Sequence, residues 1–356
     1  MRIVSVVGAR PQFVKLAPIS HAFARADLDH VIIHTGQHYD PMLSAVFFEE
    51  LDIPAPDIHL GIGSGSHGHQ TGAMMAALDD VLPDLEPDWV LVYGDTNSTL
   101  AAAVCAAKTH LPLAHLEAGL RSFDRRMPEE INRVLTDHAA DLLLAPTTVA
   151  AGHLSDEGLA TRTVVVGDVM TDVLMSVRDR VLDRNMVSPI ATELGLEDGS
   201  YSIATIHRAE NTDDPRRLAA VLDSLRNVDH PVVVLAHPRL VARSAQFGLE
   251  LGGGALLSHP PVGYRELVAS VMRSRGVITD SGGLQKEAFL LQVPTTTVRP
   301  STEWVETVEL GWNVLAEPGP ALVHAASRPR PADTEATPYG DGHAADRVAR
   351  ALQRGL

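Results

Sequence analysis

The stretch Gly276-Val-Ile-Thr-Asp-Ser-Gly-Gly-Leu-Gln-Lys-Glu287 decides the fold. Gly276–Thr279 is a short apolar run of strand type, and Asp280–Gly283 is a turn of small residues that leads into a helix. A strand passing through such a turn into a helix is the repeating unit of a parallel sheet. Runs of the same kind lie on either side, at Tyr201–Ile206, Val232–Ala236, Ala255–Leu257 and Thr295–Val298. The first half repeats the scheme with Ile3–Val7, Val31–Thr35, Trp89–Tyr93, Leu113–Leu116, Leu142–Ala145 and Val164–Val166. Helical patterns separate the runs. In Pro128–Ala140, Ile131, Val134, Leu135 and His138 fall on one face. Alternating strands and helices mean parallel sheets covered on both faces. The expected fold is therefore α/β, with two Rossmann-like doubly wound domains. We place the first at residues 1–168 and the second at 169–343, with a final amphipathic helix at 344–356.

Composition narrows the function. At 356 residues, two domains are expected from roughly 150 residues each. The net charge of −16 argues against non-specific binding to nucleic acid or acidic membranes, while leaving room for a local basic pocket. Cys105 is the single cysteine, which suits a reducing cytosol, and its apolar setting makes it a small buried hydrophobe. The chain enters a strand at its first residues, without a signal-peptide pattern. No apolar run reaches the roughly 18 residues of a membrane span. A cytoplasmic protein is expected.

In open parallel sheets, ligands bind beyond the carboxyl ends of the strands, and the unusual polar residues fall there. After the first strand come Gly8, Arg10 and Lys15, a set that suits a phosphate or, with equal weight, a solvated loop. Asp95 follows Tyr93, where the commonest role of an aspartate is to cap the next helix. Glu117 ends a buried strand, and a carboxylate there needs a partner or a function. Arg121 belongs to the same turn. Glu129 and Glu130 stand in a first helical turn, where the helix dipole favours acids. In the second half the strand ends carry His207, His237 and the Ser281, Gly282 and Gly283 turn. The backbone N–H groups of that turn suit an anion, and Glu287 is placed one turn on for a ribose hydroxyl pair. No G-x-G-x-x-G fingerprint follows the first strand, which disfavours a nicotinamide dehydrogenase, and no nucleophile elbow is present. The segment Gly61–His69 reads as a mobile loop, and its His67 and His69 as solvated rather than metal-bound.

Together, GARPQFVKLAPI from Gly8, TGQHYD from Thr35, YGDTNSTLAA from Tyr93 and HLEAGLRSFDRRMPEEINR from His115 form an ordered set. TIHRAEN from Thr205, TDSGGLQKEA from Thr279, TEWVETVELGWN from Thr302 and PYGDG from Pro338 continue it. The set resembles the bacterial non-hydrolysing UDP-N-acetylglucosamine 2-epimerase family, from Gly8 to Gly342. The resemblance implies the glycosyltransferase B architecture, with two domains facing across a cleft and a last helix crossing back to the first. It implies a homodimer that needs no cofactor and binds UDP-N-acetylglucosamine and UDP.

The implied reaction expels UDP from C1 as the C2 proton leaves, giving a 2-acetamidoglucal, and then adds UDP back with a proton on the other face. By the resemblance, Asp95, Glu117 and Glu129 match catalytic carboxylates. Arg10 and His207 match residues around the diphosphate, and Lys15 shares the motif of Arg10. Ser281, Gly282 and Gly283 match the phosphate turn and Glu287 the ribose contact, while Glu130 is the less favoured acid. Two departures stand out. Gln37 and Gln70 match a second, activating substrate site of some members, but Asp40 and His69 occupy its other places. Trp304 stands where many members carry arginine, as in a branch that includes enzymes of UDP-2,3-diacetamido-glucuronic acid. That epimerase, and a hydrolysing relative releasing N-acetylmannosamine and UDP, are the alternatives. A glycosyltransferase leaves the acids of the first domain unexplained, and a catalytically silent nucleotide-sugar sensor predicts missing carboxylates.

Overall fold

The computed structural model describes residues 1–37 and 53–355, with Arg10 by its backbone alone. The chain divides into two units, Met1–Val173 with Thr337–Leu356, and Leu174–Ala336.

In the first unit the strands are β1 (Arg2–Val7), β2 (Asp29–His34), β3 (Ile58–His59), β4 (Trp89–Tyr93), β5 (Leu113–Leu116), β6 (Leu142–Ala145) and β7 (Thr163–Val165). They form one sheet in the order β3-β2-β1-β4-β5-β6-β7, and every pairing is parallel. Its helices are α1 (Arg10–Arg25), α2 (His67–Val81), α3 (Asn97–Lys108), α4 (Pro128–Ala139) and α5 (Thr148–Asp156). The next helix, α6 (Val169–Asp183), contains the division between the units.

The second unit repeats the winding. Its strands are β8 (Ser202–Thr205), β9 (Val232–Leu235), β10 (Leu256–His259), β11 (Gly276–Thr279), β12 (Thr295–Thr297) and β13 (Asn313–Leu315). Their order is β10-β9-β8-β11-β12-β13, again all parallel. Its helices are α7 (Pro189–Leu194), α8 (Ala209–Thr212), α9 (Pro215–Arg226), α10 (Pro238–Phe247), α11 (Tyr264–Met272), α12 (Gly282–Leu290), α13 (Val305–Glu309) and α14 (Pro320–Ala326). The final helix, α15 (Ala344–Arg354), belongs to the first unit. Both sheets are Rossmann-like and doubly wound, with winding reversed between β1 and β4 and between β8 and β11.

The central strands are buried along their length, Trp89–Tyr93 and Val232–Leu235 being fully so, which is why they read as continuous apolar runs. One face of the first sheet packs Phe13, Leu16 and Phe23 of α1 together with Val348 and Leu352 of α15. The other packs Met74 and Leu78 of α2 against the alanine-rich α3. Two short strands, β3 and β13, escape a sequence reading: β3 has only two residues, and β13 offers just Val314 and Leu315 after the polar Asn313. The supposed loop Gly61–His69 is also shorter than expected. Helix α2 already begins at His67, because Gln70, Met74 and Leu78, four residues apart, bury one stripe against the sheet. Among the described residues, no helix is long and apolar enough to cross a membrane.

Candidate active site

In the first unit the site gathers where the winding reverses. Gln12 of α1 is buried and spends its whole amide on this junction. It accepts from the N–H groups of Gly8 and Ala9 at 2.8 and 3.0 Å, and donates to Tyr93 O and Thr99 Oγ1 at 2.9 and 3.0 Å. The loops leaving β1 and β4 are thereby tied together. One turn beyond Gln12, Lys15 forms a nearly buried ion pair with Glu117. Burial pulls the lysine pKa down, but the charge and hydrogen bond of Glu117 outweigh it and hold the ammonium above its usual range. Gly94, at φ +60°, lies close against this pair: a Cβ there would stand 3.2 Å from Glu117 Oε2 and 3.4 Å from Lys15 Nζ.

Asp95 does not cap α3; Thr96 does, accepting from the N–H of Thr99 at 3.3 Å. The Asp95 side chain is left to pair with Arg133 of α4. Asn132 of the same helix donates to Asp95 O at 2.9 Å. Glu129, in the first turn of α4, is exposed and has no hydrogen-bond partner among the described residues. Glu130 beside it is buried and fully used. It accepts from Ser122 N, Ser122 Oγ and Phe123 N, each at 2.9 Å, and from Arg133 at 3.0 Å. Burial raises its pKa, but these donors and the Arg133 charge bring it below the usual carboxylate range. A cavity of about 580 Å³ opens alongside, lined by His67, Asn97, Arg125, Pro128, Ile131 and Asn132.

Arg121 is placed differently from its sequence reading. Its side chain is 1% exposed and lies against Asp137 at 2.7 Å and against Glu157 at 2.7 and 2.8 Å. It knits α4 to α5 instead of presenting a cation to a ligand. Arg10 opens α1, and its side chain, like Asp40, lies outside the described residues.

In the second unit the polar strand ends also converge. Asp280 is fully buried after β11. It accepts from the N–H groups of His207 and Arg208 at 3.1 and 3.0 Å and from Asn211 Nδ2 at 3.0 Å, and it faces His207 Nδ1 at 3.2 Å. His207 lies on His237, with ring centroids 5.3 Å apart. Nδ1 of His237 accepts from Arg239 N at 3.1 Å, and burial followed by the His207 charge holds its pKa below the usual value. Ser281 differs from expectation: its N–H donates to Thr279 Oγ1 at 2.9 Å and is not free. Gly282 and Gly283 remain at the first two positions of α12, where no intrahelical carbonyl reaches their N–H groups. Glu287, one turn on, accepts from Tyr264 OH at 3.0 Å, and burial raises its pKa.

A sequence model of the UDP-N-acetylglucosamine 2-epimerase family matches residues 21–353. The chain belongs to that family. It is 45% identical to the UDP-2,3-diacetamido-2,3-dideoxy-D-glucuronate 2-epimerase of Pseudomonas aeruginosa, over 99% of this chain and 100% of that one. It is 39% identical to the UDP-N-acetylglucosamine 2-epimerase of Methanocaldococcus jannaschii, over the whole of both. A crystal structure of the Methanocaldococcus jannaschii UDP-GlcNAc 2-epimerase in complex with UDP-GlcNAc and UDP superimposes with a TM-score of 0.78, at 38% identity over the whole of both chains. The chain is thus an enzyme of the isomerase class, with the two Rossmann-like sheets of the glycosyltransferase B type. Sequence reasoning picked out most of the polar strand ends of this 2-epimerase family member but passed over Gln12, His115, Arg133, Asp137 and Asp280. Each lies inside an element or a quoted motif, and only a long-range partner reveals its use.

Proposed function

We propose that the protein inverts C2 of UDP-N-acetylglucosamine, giving UDP-N-acetylmannosamine, by elimination and re-addition of UDP. The observation that carries this is the carboxylate pair at neighbouring strand ends, Asp95 against Arg133 and Glu117 against Lys15. C2 is next to an amide nitrogen and not a carbonyl, so its proton is poorly acidic. The C2–H electron pair forms the C1=C2 bond as the C1–O bond breaks toward the β-phosphate oxygen of UDP. A carboxylate takes the proton. In the return step the UDP oxygen attacks C1, and a second carboxylic acid gives C2 a proton on the opposite face. The sequence is redox-neutral and calls on no nicotinamide.

Glu129, exposed and with no ion-pair partner among the described residues, suits the proton-delivering role, while Asp95 and Glu117 suit the base. His207, Arg10 and the Gly282–Gly283 turn would take the departing diphosphate, and Glu287 the ribose. His237, in its neutral form, would complete that wall. A homodimer in the cytoplasm, as the motifs imply, is part of this reading.

A second reading concerns the sugar. Trp304 lies over Lys286, with Nζ 4.7 Å from the ring centre, where many members carry arginine. With the 45% identity to the Pseudomonas aeruginosa enzyme, this favours a substrate modified at C3 and C6.

The test is an NMR time course in D2O with UDP-N-acetylglucosamine. UDP-N-acetylmannosamine deuterated at C2 is expected. Free N-acetylmannosamine with UDP would replace the proposal by the hydrolysing reaction. Turnover confined to the 2,3-diacetamido uronic acid would establish the second reading, and binding without turnover of either sugar would make the protein a sensor.

A further inference from the structure

His115 and Asp137 have no part in the reaction as written, yet both are wholly buried beneath it. His115 Nε2 lies 2.7 Å from Gly94 O, and its Nδ1 lies 2.6 Å from Asp137 Oδ1. A carbonyl oxygen carries no proton, so Nε2 must donate. The other oxygen of Asp137 accepts from Gly119 N at 3.1 Å and from Arg121 at 2.7 Å. A carboxylate enclosed by those donors is an anion, so Nδ1 donates as well. The ring is then an imidazolium, charged on both sides of its contacts.

The geometry of these contacts matters more than their number. Asp137 grips the side chain of residue 115 with one oxygen and the backbone of residue 119 with the other. It therefore closes the turn at whose apex Glu117 sits, with φ +70°. Through its second nitrogen, His115 holds the carbonyl of Gly94, the residue immediately before Asp95. The carbonyl of Asp95 itself is held by Asn132, from the same helix as Asp137. Two carboxylate-bearing turns on separate strands thus share one buried ion pair.

We propose that the His115–Asp137 pair is a clamp that fixes Asp95 and Glu117 relative to one another, making both members positioning residues for the proton transfers. The role rests on the function proposed above. A histidine that merely fills the core needs its volume and one hydrogen bond, whereas a clamp needs both nitrogens. His115→Gln keeps a donor for Gly94 and loses Asp137; His115→Asn keeps a donor for Asp137 and loses Gly94.

With full-length protein, each variant should lower kcat about 10- to 100-fold, because misplacement of order 1 Å costs that much. KM and the affinity for UDP by calorimetry should stay within about 3-fold of native. Either variant folded by circular dichroism with native kcat would overturn the clamp, as would equal losses in kcat and UDP affinity. Because both variants alter a buried site, a second measurement uses native protein. With ¹⁵N-labelled histidine, the His115 ring, assigned by coupling across its hydrogen bond to the Gly94 carbonyl, should show protons on both nitrogens at neutral pH. A single protonated nitrogen would overturn the clamp even if neither variant folds. Failure of native protein to epimerise would overturn the proposed function, and the ring spectrum would still decide the clamp.

Discussion

Glu117 carries its carboxylate on a left-handed backbone, at φ +70°, where a side chain costs on the order of 1–2 kcal/mol. The conformation turns the chain off β5 and aims the carboxylate at Lys15. If Asp95, Glu117 and Glu129 move the protons, Asp95→Asn, Glu117→Gln and Glu129→Gln should each lower kcat by about 10²- to 10⁴-fold with unchanged UDP affinity. Rates by NMR, read beside melting curves, check this; near-native turnover in a folded variant removes that residue from the chemistry. Gly119 bears the cost of the same turn. At φ +82°, an added Cβ would lie 2.3 Å from Ala150 O, so Gly119→Ala should destabilise by more than about 1 kcal/mol in urea unfolding. The sequence made Glu117 visible as an acid ending an apolar run. It could not reveal the use of Arg121, because an arginine in a charged turn reads alike whether it meets a ligand or a buried aspartate sixteen positions on.

Helix α4 was legible as a helix, but its orientation was not. The sequence puts Ile131, Val134, Leu135 and His138 on one face, yet Leu135 is 50% exposed. The buried positions are Glu130, Asn132, Thr136 and Asp137. An amphipathic reading assigns the apolar stripe to the core, and here polar partners on β5, on α3 and on the neighbouring loops reverse the choice. The charged members of such a face depend on their partners. Arg121→Met should cost about 1.5–3 kcal/mol in urea unfolding, since it takes one charged donor from the wholly buried Asp137 and the ion pair from the partly exposed Glu157. In α15 the ordinary rule holds. Ala345, Val348, Ala349 and Leu352 are buried, and Trp89 Nε1 donates to Leu352 O at 3.2 Å. Leu352→Ala should cost about 2–5 kcal/mol, read by calorimetry as a loss in the first unit.

At the scale of the whole molecule, the two winding orders were implicit in the alternation of strands and helices, while β3 and β13 carried too few apolar residues to register. The buried and paired acids also act together. Asp137, Glu130 and Glu157 are held below the usual carboxylate range, and Asp341, beside Arg347, falls to about 2. Burial opposes the shift at Asp137 and Glu130, whereas at Glu157 and Asp341 the arginine hydrogen bond leads. The unfolded chain therefore binds protons first. The stability these groups contribute is complete above about pH 5 and lost as the pH falls toward 2. Melting temperature should drop steadily through that window; a level profile would show that these pairs contribute nothing. The return of residues 337–356 to the first unit has a consequence in time. A ribosome emits α1 before α15, with all of the second unit between them. The apolar flank of α1 therefore waits uncovered until the whole second unit has been made, and any chain cut off before α15 carries that flank bare for good.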